Sequence, residues 1–205
     1  MRRLHLVSLL AIAVALAGCG PPPAGGTPWP FAEDPNARLW GDGPYGLVLV
    51  TDSGREAASW DGLASTFAGE GMTVVALDAG STAGRVLGAI QALQDAGIER
   101  VAVLAAGSGS VQAMEIGATW PGLVDQLILL SARGNVSRLG EFPKLFVASE
   151  GEGAAAEARR MADVAPGDWN ALYLATGDAS GQAILDGAGA EGAMEAILVR
   201  LEERR

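Results

Sequence analysis

The chain's only histidine and only cysteine are His5 and Cys19, both within the first 19 of its 205 residues. Past that point no imidazole remains to take a proton near neutral pH, and no thiol to attack a substrate or bind a soft metal. What remains is the run Gly107-Ser108-Gly109-Ser110, the carboxylates Asp52, Asp78, Glu150, Glu152 and Asp178, and a single lysine, Lys144. A serine hydroxyl is a weak nucleophile unless a base stands beside it. Lys144 opens a predicted strand, far from the strand ends where the serines and carboxylates gather, and is a poor substitute. Carboxylates at strand ends can hold Ca²⁺ or Mg²⁺. Their spacing here matches no calcium loop, so they read as solvated rim charge. Zinc is poorly served without His or free Cys. The expectation is no metal and no cofactor.

The elements that must position these groups belong to one ordinary domain. Apolar residues make up 49% and charged residues 19%, the balance of a globular chain. With 24 acidic residues against 14 basic ones, the chain lacks the basic face that nucleic acid requires, so no nucleic-acid partner is expected.

The first 18 residues form a separate unit. Arg2 and Arg3 precede a largely apolar run from Leu6 to Ala17, too short to span a bilayer comfortably but suited to a secretory signal. The run ends in Leu16-Ala17-Gly18-Cys19, which resembles the lipobox of bacterial lipoproteins. That resemblance implies cleavage before Cys19 and acylation of its thiol, with palmitate-like chains holding the protein on a membrane of the cell envelope. One chain binds membranes only marginally, so stable anchoring implies several. An acylated Cys19 leaves no thiol for a disulfide.

Residues 20–43 are rich in Pro and Gly, without apolar periodicity, and read as a semi-rigid tether between Cys19 and a domain spanning 44–205. Trp29, Phe31 and Trp40 are unusual for a spacer, and some of them should pack back onto the domain. From Gly46 onward, short apolar runs alternate with helical stripes. Strands are predicted at 46–51, 72–78, 100–106, 125–131, 143–149 and 170–175. Continuous apolar runs fit strands buried on both faces of a mainly parallel sheet. The stripes Trp60-Leu63-Ala64-Phe67 and Val86-Ile90-Leu93 end at Gly71 and Gly97, where helices commonly close in a left-handed cap. A third stripe, Met194-Ile197-Leu198-Leu201, makes a closing helix. The expected class is therefore α/β, a doubly wound sheet of about six strands, with ligands at the carboxyl ends of the strands.

Residues 46 to about 204 resemble the α/β-hydrolase superfamily in a minimal form without a lid. GLVLVTDSG with Trp60 looks like its third strand and oxyanion loop. MTVVALDAG resembles the fourth strand, ERVAVLAAGSGSVQAMEIGA the fifth strand and nucleophile elbow. FPKLFVASEGEG is similar to the strand delivering the acid, and NALYLATGDASG to the one delivering the histidine. The family's chemistry needs a nucleophile in a G-x-S-x-G turn, a His base and an orienting acid. In this register Gly107 takes the nucleophile's position, with Ser108 one residue on. Glu152 takes the acid's position and Ser180 the histidine's. Thr51-Asp52 stands where the family has His-Gly. The resemblance thus implies a degenerate triad, and the enzyme question leans to no.

Two functions are open at this point. In the first, the domain is a pseudoenzyme acting in binding or scaffolding. The turn Gly107-Ser108-Gly109-Ser110 would then offer helix-terminal N–H groups to a small anionic ligand, or the surface would meet an envelope protein. In the second, it is a residual esterase in which Ser108 attacks small carboxylic esters, aided by Glu152 or Asp178. Trp60, Trp120 and Trp169 read as core or rim packing, and Ser131 as a hydroxyl capping a backbone group.

Overall fold

A computed structural model of the chain describes residues 25–29, 34, 36–78, 80 and 82–203. The signal segment, Cys19 and Phe31 lie outside the described residues. Eight strands form one sheet: β1 (Thr27–Pro28), β2 (Arg38–Trp40), β3 (Tyr45–Val50), β4 (Met72–Leu77), β5 (Arg100–Ala106), β6 (Gln126–Leu130), β7 (Lys144–Ser149) and β8 (Asn170–Ala175). Their order is β1-β2-β4-β3-β5-β6-β7-β8. The six strands from β3 on pair parallel with one another; β1 pairs antiparallel with β2, and β2 with β4.

Alternation explains why β3, β4, β5 and β6 read as unbroken apolar runs. Val48, Val50, Val75, Val103 and Leu127 face one layer, with α2 (Ala83–Asp95), α3 (Gly109–Thr119) and α4 (Ala155–Val164). Leu47, Leu49, Val74, Leu104 and Ile128 face the other, with α1 (Asp61–Gly69) and α5 (Ala190–Glu202). Both faces are covered, so apolar side chains dominate both sides of these strands. Gly71 and Gly97 follow α1 and α2 with φ of 82° and 92°, the left-handed backbone that stops a helix at little steric cost.

The sheet corrects the expected six strands to eight, and both additions come from the segment read as a spacer. Trp29 N–H donates to Ala37 O at 2.8 Å beside the β1–β2 pairing, and β2 runs along β4. Trp40 is 2% exposed in the α1/α5 layer, and Trp29 packs on the opposite layer. Buried Asp34 fastens the segment: it accepts the N–H groups of Asn36 (3.0 Å) and Asp78 (3.1 Å). Burial of a large indole and pairing of the β4 edge overcome the low strand propensity of a Pro/Gly-rich stretch.

Lys144 is also fully buried. Its ammonium donates to Phe142 O at 2.7 Å and Pro166 O at 2.6 Å, at the amino end of β7. There it ties two loops together, well away from the carboxyl ends. Trp60 is fully buried, whereas Trp120 and Trp169 are exposed.

Candidate functional site

From β3 the chain goes to β4 on one side, then crosses back to β5 on the other. The carboxyl ends of β3 and β5 therefore flank the point where the winding reverses, the place such sheets leave a crevice. The residues just beyond those ends are Asp52 and Gly107. Gly107 turns the chain from β5 into α3 with φ of 49°, a conformation glycine takes without penalty.

Asp52 fills the space above that glycine. Its Oδ1 accepts from the Ser108 N–H (3.0 Å), the Ser108 hydroxyl (2.9 Å) and its neighbour's N–H, Ser53 (2.7 Å). The Ser53 N–H is shared with Ser108 Oγ at 2.8 Å. Burial acts to raise the Asp52 pKa, but these hydrogen bonds and nearby Arg55 outweigh it and hold the carboxyl below its ordinary value. A Cβ on Gly107 would collide with all three atoms of the carboxyl group, and one on Gly181 would lie 2.8 Å from Oδ2. Two glycines thus make room for one carboxylate.

Other donors of the Gly107–Ser110 turn are engaged within the chain as well. Gly107 N–H donates to Leu130 O (2.8 Å) and Ser110 N–H to Gly107 O (3.2 Å), while the buried Ser110 hydroxyl donates to Ala105 O (3.3 Å). The turn expected to meet an external anion therefore holds one supplied by the chain itself.

On the other wall, Ser131 is the one non-glycine among the described residues with positive φ, at 52°. Its hydroxyl donates to Glu152 Oε2 at 2.7 Å and accepts the Gly181 N–H at 2.7 Å. Burial pushes the Glu152 carboxyl above its ordinary pKa, against Ser131, the Ser149 backbone and the Arg133 charge. Asp52, Gly107, Ser131, Arg133, Glu152, Asp178, Ser180 and Gly181 line a polar cleft of about 340 Å³. Ser108 and Ser110 lie outside that lining. A second cavity, about 390 Å³, is the seam where Asn36 and Arg38 dock beside Glu56 and Asp78. There Asp78 accepts from Asn36 Nδ2 (3.0 Å) and Ala57 N–H (3.1 Å).

No protein-family model and no curated protein sequence matches this chain. Solved structures do. A monoacylglycerol lipase of Paleococcus ferrophilus is 11% identical, with a TM-score of 0.69 over 82% of this chain and 98% of its own. An alpha/beta hydrolase enzyme from a sediment metagenome of the Mar Chica lagoon is 15% identical, TM-score 0.66, over 82% and 94%. An enol-lactonase of Burkholderia xenovorans is 12% identical, TM-score 0.62, over 81% and 95%. The chain has the α/β-hydrolase fold.

Gly107 stands at the apex of the turn between β5 and α3. Glu152 stands beyond β7, bonded to Ser131. Ser180 lies on the same cleft as Glu152, and Ser131 bridges Glu152 to the adjoining Gly181. Asp52, flagged in the sequence as a strand-end carboxylate and as the replacement for the oxyanion-loop His-Gly, proves to be the centre of the arrangement. Arg133, at the cleft mouth, had no sequence signal beyond following a strand end. No group of three or more His, Cys, Asp or Glu side chains suited to a metal occurs among the described residues.

Proposed function

We propose that this chain is an acyl-anchored envelope protein whose α/β-hydrolase-like domain binds or scaffolds and does not turn over substrate. One observation carries the second half of that reading: the Asp52 carboxylate stands above Gly107, where an elbow nucleophile would stand, and occupies Ser108 N–H, the donor that would stabilise an oxyanion. The cleft is lined mainly by polar and charged side chains, which favours a small polar ligand or a polar segment of an envelope partner. An alkyl fluorophosphonate should therefore leave the full chain unlabelled, with wild type, Ser108→Ala and Ser110→Ala alike. Labelling of wild type would overturn the reading.

The alternative, a residual esterase acting through Ser108 on small carboxylic esters, draws on one contact. The Ser108 hydroxyl donates to Asp52 at 2.9 Å, a hydroxyl–carboxylate pair. A carboxylate held below its ordinary pKa is a feeble base, and the oxygen it would activate points outside the cleft lining. Fluorophosphonate labelling that disappears only in Ser108→Ala would establish this reading instead.

The anchoring half rests on Leu16-Ala17-Gly18-Cys19. Among the described residues no helix is long and apolar enough to cross a membrane. Cells fed an alkynyl palmitate analogue should label wild type and leave Cys19→Ser unlabelled. Equal label in both would remove the acyl anchor.

A further inference from the structure

The sheet ends differently on its two sides. On one, β4 is covered by β2, and β2 by the short β1 with Pro28. On the other, β8 pairs with β7, and no described strand lies outside it. Natural edges are commonly blunted by charge or proline. The segment Trp169–Ala175 has neither, in a chain whose net charge is −10. Two hydrogen bonds fix which way its backbone faces. Trp169 O accepts from Lys144 N–H (3.1 Å) and Ala175 O from Glu150 N–H (2.9 Å), so the odd-numbered residues of the segment face β7. In a parallel ladder the alternate residues then turn away, leaving the N–H and C=O of Asn170, Leu172 and Leu174 pointing outward.

Four of the six large apolar side chains exposed among the described residues gather round the amino half of this strand: Trp169 (66%), Val199 (51%), Val164 (47%) and Leu172 (37%). The end of α4, with Val164, meets β8 where Asn170 Nδ2 donates to Ala165 O at 2.7 Å. α5 runs back along β8, since a Cβ on Gly189 would collide with Ala175 and one on Gly192 with Tyr173. Val199 follows about two helical turns later, roughly 10 Å further toward the amino end.

We propose that β8 is a dimerisation edge, on which a second copy of this chain lays its own β8 antiparallel about a two-fold axis at Leu172. The outward groups set that register. Leu172 exchanges both backbone bonds with the partner's Leu172, and Asn170 with the partner's Leu174. Opposite residues share a face, so Ala171 meets the partner's Tyr173 and Trp169 the partner's Ala175. Charge argues for a second copy as the occupant. Acidic copies repel across most of their surface, and an uncharged, self-complementary edge is where they can meet. A six-residue strand with a helix layer on each face presents roughly 20 Å by 30 Å, about 600 Å² per copy. That is the lower end of stable interfaces, so association in the micromolar range is expected.

The test uses the full chain carrying Cys19→Ser, which removes acyl-driven association and leaves no competing thiol. Sedimentation velocity from about 1 to 100 µM should show the mass rising from one chain to two. Leu172→Lys sets like charges face to face at the axis and should weaken association by about tenfold or more. Leu172→Cys would place two Cα atoms about 5.5 Å apart, within disulfide reach, so copper–phenanthroline should link the copies. The equally exposed Val111→Cys on α3 should stay unlinked. Wild type that remains one chain throughout, a Leu172→Lys protein that pairs as wild type does, or equal linking at 111 and 172 overturns the proposal. Linking of Leu172→Cys in cells to a protein of another mass also overturns it and gives the edge to a different partner. If Leu172→Lys fails to fold, the disulfide comparison decides. None of these results alters what fluorophosphonate labelling reports.

Discussion

Gly107→Ser, the substitution that would restore a hydroxyl to the elbow, should destabilise the protein by about 3 kcal/mol and produce no ester hydrolysis. Two costs combine. A side chain at φ of 49° adds about 1 kcal/mol of backbone strain. The new Cβ also lands on the Asp52 carboxyl, and forced overpacking adds roughly 1–3 kcal/mol. Chemical denaturation measures the loss directly. The double variant Asp52→Gly/Gly107→Ser should recover the overpacking part and keep the strain, a coupling of about 1–3 kcal/mol between the sites. A Gly107→Ser protein as stable as wild type would show that Asp52 does not occupy this space.

Lys144→Met should have a similar effect for a different reason. Methionine fills most of the volume but leaves the carbonyls of Phe142 and Pro166 without their donor. Stranding two buried acceptors costs about 3 kcal/mol. The pH dependence gives a second signature. Burial pushes the Lys144 ammonium down to about 8, with Glu141 opposing. The unfolded chain, with an ordinary lysine pKa, then binds more protons than the native chain between about pH 8 and pH 10.5. Stability should consequently rise with pH across that window, and the rise should vanish in Lys144→Met. A wild-type slope of opposite sign would mean that the two carbonyl bonds dominate and hold the ammonium charged.

The parallel core was legible because buried strands and amphipathic helices write their periods into the chain. The run at 100–106 coincides with β5, the run at 72–78 exceeds β4 by one residue, and the stripe Val86-Ile90-Leu93 lies inside α2. The extra strands were not legible. β2 has three residues in a Pro/Gly-rich stretch, and what fixes it is Trp40 burial and the β4 edge, both tertiary. The aromatic residues Trp29, Phe31 and Trp40 were the hints. For the site, the family resemblance put Gly107, Glu152 and Ser180 in one register, but side-chain direction is not in the pattern. Whether Asp52 faces water or turns inward depends on room that Gly107 and Gly181, 74 residues apart in sequence, create together. The same holds for the Ser131 bridge, whose partners Glu152 and Gly181 come from two other loops.

The short strand β2 has one more effect, on self-association. Its neighbour β4 is a six-residue run, Met-Thr-Val-Val-Ala-Leu, buried throughout, uncharged and free of Pro and Gly. Such a segment with an open edge is a template for intermolecular β-pairing and fibril growth. The three residues of β2, fastened by Trp40 and Asp34, are what keep that edge closed. A protease cut between Trp40 and Gly43 would therefore release more than a linker; it would separate β2 and uncover a nucleus for aggregation on an otherwise intact domain.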